Sequence, residues 1–191
     1  FFTNQNLFAV TALKMTALSL KHGNSRVSAY GYITYAILLL DTLKDIKGGV
    51  TFARVAVTLG DRLDHAGLRA KLGVLFGAFI NHWDAPIARS IVLLRNAYRH
   101  GLETGDLVYA GYALANRIFG AVVRGESLDQ IIKQCEAFLK FTDRTKDRDV
   151  EGDFLLARQA ALSLRGETST PHTFSDHAYS EELHLKRMQK G

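Results

Sequence analysis

The sequence predicts an all-α protein, a right-handed α-solenoid of about four antiparallel helical hairpins, with a closed helical bundle as the alternative. Three observations carry this. Leu68, Leu72, Leu75, Phe76, Phe79, Ile80 and Trp83 recur at steps of four, three and one, which sets all seven on one face of a helix. The 191 residues contain only Pro86 and Pro171 as prolines, and so few breakers favour long helices. Helix starts near residues 4, 49, 86 and 127 repeat at close to forty residues, within the roughly 34 to 47 residues of a two-helix repeat unit in solenoids. No alternating β-branched run signals a strand.

The first helix is expected from about Asn4 to Lys21, with Phe8, Ala12, Met15 and Ser19 as its stripe, widened by Leu7, Val10, Ala17 and Leu18. His22-Gly23-Asn24 stops it, the glycine supplying a left-handed cap. Ser25 or Ser28 caps a second helix reaching about Leu43. That helix is apolar nearly all round, so it should be buried on several sides. Lys44 to Gly49 reads as a loop ending in a glycine pair. The third helix follows to about His65, lined by Phe52, Val55, Ala56, Leu59 and Leu63, with Gly67 in the turn after it.

The fourth helix carries the seven-residue stripe. It also has Gly73 and Gly77, a small-residue pair whose helix-propensity penalty of roughly 1 kcal/mol per residue is usually compensated by a close helix–helix approach. Asp84 is expected to begin the fifth helix, with Pro86 in the first turn, where proline is tolerated. Its stripe is Ile87, Ile91, Leu94 and Tyr98, and the turn runs from Gly101 to Asp106. Asp106 caps the sixth helix, whose inner face reads Leu107, Gly111, Leu114, Ile118 and Val122. Ser127 and Gln130 fit a capping box for the seventh helix, which continues through Cys135, Phe138 and Leu139. A polar link from Thr142 to Arg148 leads to an eighth helix ended by Gly166, and Ser180 to Gln189 form a last short one. The chain thus divides into a helical repeat domain, residues 1–166, and a linker or capping tail, residues 167–191.

Composition narrows the function classes. Hydrophobic residues make up 47% and charged residues 23%, ordinary for a soluble globular chain. Cys135 is the single cysteine, so no intramolecular disulfide can form, which fits a reducing, cytoplasmic setting. No stretch approaches the ~20 apolar residues of a membrane span. The first twenty residues lack a signal-peptide layout, and the initial Phe1 suggests a piece of something longer. Net charge is +5. Residues 1–166 hold 21 basic and 15 acidic side chains, the tail three and four. A surplus spread over eight helices reads as a solvated surface and argues against nucleic acid as a partner.

Few motifs suggest chemistry. Gly120-Ala-Val-Val-Arg-Gly125-Glu126-Ser127 has the glycine spacing of a phosphate-binding loop, but that loop needs Lys where Glu126 stands. Gly125 as one helix's C-cap and Ser127 as the next one's N-cap explain the segment. The seven histidines have no partner at metal-ligand spacing, so neither a metal nor a cofactor is expected. Cys135 sits on an apolar stripe with no evident base beside it. Two sets are candidate ligand- or partner-binding residues. Asn81, His82 and Trp83 at a helix end could rim a groove; His82 complementing the helix dipole and Trp83 in the core is the structural alternative. Tyr109, Tyr112, Asn116 and Arg117 run along the sixth helix opposite its leucines. They suit a concave face gripping a peptide or another domain, or contact with the adjacent hairpin.

Three segments carry a resemblance: His22-Gly23-Asn24-Ser25, Phe79-Ile80-Asn81-His82-Trp83, and Gly101-Leu102-Glu103-Thr104-Gly105-Asp106-Leu107-Val108-Tyr109-Ala110-Gly111-Tyr112. Over roughly residues 4–166 the chain resembles the tetratricopeptide-like region of large bacterial signalling proteins. In those proteins a serine/threonine-kinase-like domain and an AAA-type ATPase precede the repeats, and GAF-type sensor and histidine-kinase domains follow. The resemblance implies a non-catalytic segment that couples domains or holds a partner: flanking ATPase, kinase or sensor domains of the same polypeptide, or a separate protein or peptide. A helical domain that senses a small effector is the alternative.

Overall fold

A computed structural model describes residues 4–63 and 66–188. Among these residues the regular structure is helical throughout, with no strand. The long helices are α1 (Gln5–His22), α2 (Ser28–Asp41), α3 (Ile46–Arg62), α4 (Ala66–Leu75), α5 (Ile87–Thr104), α6 (Leu107–Val123), α7 (Leu128–Thr145), α8 (Arg148–Leu164) and α9 (Glu181–Met188). Between α4 and α5 the chain passes through a π-helical turn, Phe76–Ile80, and a 3-10 turn, Asn81–Trp83. Among the described residues no helix is long and apolar enough to cross a membrane. The chain forms two compact units, Phe1–Asn116 and Arg117–Gly191, divided within α6.

In the first unit α2 is the central element. Its lack of a polar face is matched by burial of Tyr32, Ile33, Ala36, Ile37, Leu39 and Leu40. Val50, Ala53 and Ala56 of α3, Leu68 and Leu72 of α4, and Phe76 and Ile80 of the π turn complete that core. Helix α1 packs chiefly on α2, where the Thr16 hydroxyl donates to the Gly31 carbonyl at 3.1 Å. Helices α4 and α5 meet through the glycine pair: a methyl group at Gly73 would lie 2.9 Å from the Ala97 Cβ. In the second unit α7 and α8 pack side by side. The Phe138 and Phe154 rings sit 5.6 Å apart, with Ile131, Cys135, Val150 and Ala161 buried around them.

Most helix starts follow local chemistry, but neither Ser25 nor Ser28 caps α2 as expected: Val27 holds the N-cap position without a side-chain cap. Asn4, Asp45, Asp106, Ser127 and Asp147 each accept a hydrogen bond from the backbone N–H three residues on. Gly105 takes the left-handed conformation (φ 74°) that closes α5.

Several expectations need correction. Residues 46–49 are the first turn of α3, capped by Asp45, not a loop, and Gly67 lies inside α4, not in a turn. The expected end of the third helix at His65 and the last position of the tail helix, Gln189, lie outside the described residues. Helix α5 runs on through Gly101 to Thr104, so the turn shrinks to Gly105-Asp106. Asp84 precedes α5 and Pro86 stands at its N-cap position. Helix α7 extends to Thr145, leaving only Lys146-Asp147 as the link.

Side-chain phase differs too. Leu7, Val10, Ala17 and Leu18 are exposed, because α1 buries only the stripe that meets α2. Val55 is exposed while Ala53 and Ala56 are buried; small residues, not large ones, form the surface where α3 approaches α2. Leu107 and Val122 are likewise exposed, and Ala110, Ala113, Leu114, Ile118 and Ala121 take the buried side of α6.

The largest departure is at residues 76–83. In the π turn the Asn81 N–H reaches back five residues to the Phe76 carbonyl, one residue more than an α-turn holds. The wider π turn and the tighter 3-10 turn after it take residues 79–83 out of the phase of α4. Phe79 and Trp83, expected in the core, therefore rotate outward, and Asn81 rotates in.

Candidate functional site

The first unit carries an open groove of about 630 Å³. One wall is α3, through Arg54, Val57, Thr58 and Asp61 at positions i, i+3, i+4 and i+7. The floor is α4 and the start of the π turn, through Arg69, Leu72, Gly73 and Phe76 at the same spacing. The other wall is α5, through Arg89, Leu93, Asn96, Ala97 and His100. Each helix thus offers one regular face, and the rims of the groove are polar while its bottom is apolar.

The charges are distributed along its length. Arg54 donates from Nη2 to Asp84 Oδ2 at 2.5 Å, across thirty residues of sequence. His100 Nδ1 lies 3.1 Å from Glu103 Oε2. Among the described residues Arg89 engages no ion pair. Among the described residues the lining holds the guanidinium groups of Arg54, Arg69 and Arg89, the His100 imidazole and the Asp61 carboxylate, with Asp84 against Arg54 and Glu103 against His100. A second, smaller hollow of about 420 Å³ on the other side of α3 shares Arg54 and Thr58 and includes Asn24 and Arg62.

Asn81, His82 and Trp83 lie at the end of the fourth helical run, next to the Arg54–Asp84 pair. Asn81 is only 1% exposed. Its Nδ2 donates to Ser90 Oγ at 3.0 Å and to the Pro86 carbonyl at 3.2 Å, so it pins the connection into α5. His82 is exposed and Trp83 is 43% exposed, their rings 5.3 Å apart.

Tyr109 and Tyr112 meet edge to face with centroids 5.6 Å apart. They pack against Val74, Leu94, Ala97 and Ala113. The Tyr109 hydroxyl stands 3.5 Å from that of Tyr30. The Lys71 ammonium sits 5.2 Å above the Tyr109 ring and 3.6 Å from Asp106. Burial, then the Tyr30 hydrogen bond, pushes the Tyr109 phenol well above its ordinary range. These tyrosines therefore face neighbouring helices of their own unit. Asn116 donates to the Tyr112 carbonyl of its own helix at 2.8 Å. Arg117 belongs to the second unit, where its guanidinium lies 5.0 Å above the Phe138 ring.

The structure thus brings Asn81, His82 and Trp83 to one corner and Tyr109 and Tyr112 to another. The groove between α3 and α5 is lined by other residues, above all Arg54, Arg69, Arg89, Asn96 and His100. Their signal in the sequence is a polar side chain recurring at helical spacing beside each apolar stripe.

The second unit has its own polar assembly. Gln159 is fully buried on α8 and donates to the Phe174 carbonyl at 2.7 Å and to Asp176 Oδ2 at 3.0 Å. Asp176 also accepts from the N–H groups of Ala178 and Tyr179, and Arg158 lies 3.8 Å away. Burial raises the Asp176 pKa, but these donors together hold it below the usual carboxylate range. Residues 167–180, irregular in backbone, are fastened to α8 by this cluster. The Cys135 thiol is pushed up to about 12 by burial, the opposite of an activated nucleophile.

Among curated proteins, the chain is similar to hybrid signal transduction histidine kinase G of Dictyostelium discoideum, 20% identical over 146 residues. The matched stretch covers 75% of this chain and 4% of that protein, so the chain spans a small fraction of the relative's length. No family model matches the chain. No solved structure matches it either.

Proposed function

We propose that this chain is a non-catalytic protein-interaction and interdomain-coupling segment of a multidomain signal-transduction protein. The carrying observation is the groove, three regular helix faces that together present an apolar floor between polar rims. That is the form in which helical scaffolds receive a partner segment. The similarity to a short stretch of a much longer histidine kinase supports the signalling context. In this reading the helices form a tetratricopeptide-like right-handed solenoid in the cytoplasm. The prominence of contacts between consecutive helices, α1 with α2, α2 with α3, α4 with α5 and α7 with α8, supports that arrangement. Flanking kinase, ATPase or sensor domains of the same polypeptide are the proposed partners.

The test is binding of the purified 191-residue chain to each neighbouring domain of its own polypeptide by isothermal titration calorimetry. Micromolar or tighter affinity for one of them is expected; silence against all of them would remove the proposal. A groove of about 630 Å³ also lies within the roughly 300–1,000 Å³ of small-ligand pockets, which favours effector sensing as the second reading. A metabolite that raises the melting temperature in proportion to its concentration over Kd would promote it.

A further inference from the structure

We infer that the outward face of α1 docks an amphipathic helix of a partner polypeptide, one whose apolar seam is flanked by carboxylates. This face is separate from the groove, whose lining includes no residue of α1, and the inference goes beyond the reading above. Helix α1 buries one side only, Ala12 and Thr16, against α2. Its opposite side is apolar as well. Val10, Leu13, Ala17 and Leu20 follow one another at steps of three, four and three, and all four are exposed. That spacing makes a continuous seam along which a second helix can lie.

Charge names the occupant. Lys14 and Lys21 each follow a seam leucine by one position, so both stand on the same flank of the seam, about two turns apart. Residues 4–40, which include all of α1 and all but the last residue of α2, contain no aspartate or glutamate. Among the described residues neither lysine engages an ion pair. The seam therefore has an uncompensated cationic flank, the complement of a helix with Glu or Asp beside its own apolar seam. A second copy of the chain does not fit. An antiparallel pair of α1 helices sets lysine flank against lysine flank. A parallel pair needs the other flank, Ala9 and Thr16, and the Thr16 side chain is buried with its hydroxyl on the Gly31 carbonyl. A lipid surface does not fit either. The exposed Leu7 and Leu18 lie beyond the lysines, so the ammonium groups stand inside the apolar face and would be carried into the bilayer with it.

The experiment is fluorescence anisotropy with the 191-residue chain and a labelled peptide of three Glu-Ile-Ala-Ala-Leu-Glu-Lys heptads, with Lys-Ile-Ala-Ala-Leu-Lys-Glu heptads as control. The acidic peptide is expected to bind and the basic one not. Leu13→Gln and Leu20→Gln, both at exposed positions, are each expected to weaken the acidic peptide by about tenfold with unchanged circular-dichroism melting. Lys14→Glu combined with Lys21→Glu is expected to reverse the preference between the two peptides. Arg89→Glu, in the groove, is expected to leave acidic-peptide binding unaltered; loss of binding there would place the peptide in the groove and overturn the inference. No peptide binding, or binding indifferent to Leu13→Gln and to the double reversal, would overturn it too. So would self-association in analytical ultracentrifugation, or co-sedimentation with phosphatidylserine–phosphatidylcholine vesicles, that Leu13→Gln abolishes.

Discussion

Asn81 and Ser90 are joined across the entry to α5 by a buried hydrogen bond, Nδ2 to Oγ, 3.0 Å long. The bond exists because the π turn carries Asn81 inward, and it fixes where α5 begins relative to α4. The Asn81 Oδ1 atom has no hydrogen-bond partner among the described residues, so the side chain is held through its Nδ2 donor alone. Asn81→Ala should lose about 1–3 kcal/mol of unfolding free energy, read from urea melts. Ser90→Ala should lose less, and the double variant should be less than additive. Full additivity would mean that the two side chains do not act together.

The glycine pair gives a comparison within one protein. Gly73→Ala puts a methyl group 2.9 Å from the Ala97 Cβ, contact between two rigid helices. Overpacking of that kind costs about 1–3 kcal/mol, more than the up to 1 kcal/mol returned by helix propensity. Gly152 in α8 faces only the His184 ring, at 3.4 Å or more. Gly152→Ala should therefore be neutral or stabilise by up to about 1 kcal/mol. Chemical denaturation of both variants checks the opposite signs; equal effects would rule out close packing as the reason for Gly73.

High pH should weaken the fold through one buried acid, Cys135, and one partly buried one, Tyr109. Burial raises both Tyr109 and Cys135 above their ordinary values. In the unfolded chain the thiol ionises near 9 and the phenol near 10, while the native state still holds both protons. Stability is therefore fully present below about pH 9 and falls as pH rises, for Cys135 until about 12. Tyr109→Phe and Cys135→Ala should each flatten the alkaline limb of a stability–pH curve. An unchanged slope in both would contradict the desolvation of these groups.

Much of the fold is legible in the sequence because helix spacing and caps are local. Asp106 and Ser127 cap where their chemistry says they should, and α2's all-round apolarity signals its central place. The misreadings concern relations the sequence does not carry. A π turn followed by a 3-10 turn changes the phase of a helical run, so no count of intervals could show that Trp83 faces out and Asn81 faces in. Side-chain size misled at α3 and α6, where Ala53, Ala56, Ala110 and Ala113 are buried because close helix approach selects small residues. The groove escaped for another reason: Arg54, Arg69 and Arg89 lie on three helices, and only tertiary packing gathers them. Tyr109 and Tyr112 stand out in the sequence as aromatics on a second face, yet they serve contacts inside their own unit.

The tail should respond to acid. Asp176 accepts from Gln159 and from two backbone N–H groups, and its pKa is held below the usual carboxylate range. Glu181 is lowered as well, by the Phe174 N–H and the Thr173 hydroxyl. A carboxylate with a depressed native pKa contributes stability that is present above its unfolded value, near 4, and lost as pH falls through the native one. Residues 167–180 should therefore stay fastened to α8 at neutral pH and loosen below about pH 4. Hydrogen exchange read by mass spectrometry on peptides from this segment follows the loosening. Asp176→Asn removes the ionised acceptor and should raise exchange there already at neutral pH, while peptides from α2 stay protected. Gln159→Ala, which removes the other half of the clamp, should do the same. Protection of the segment unaltered in both variants would show that other contacts hold it.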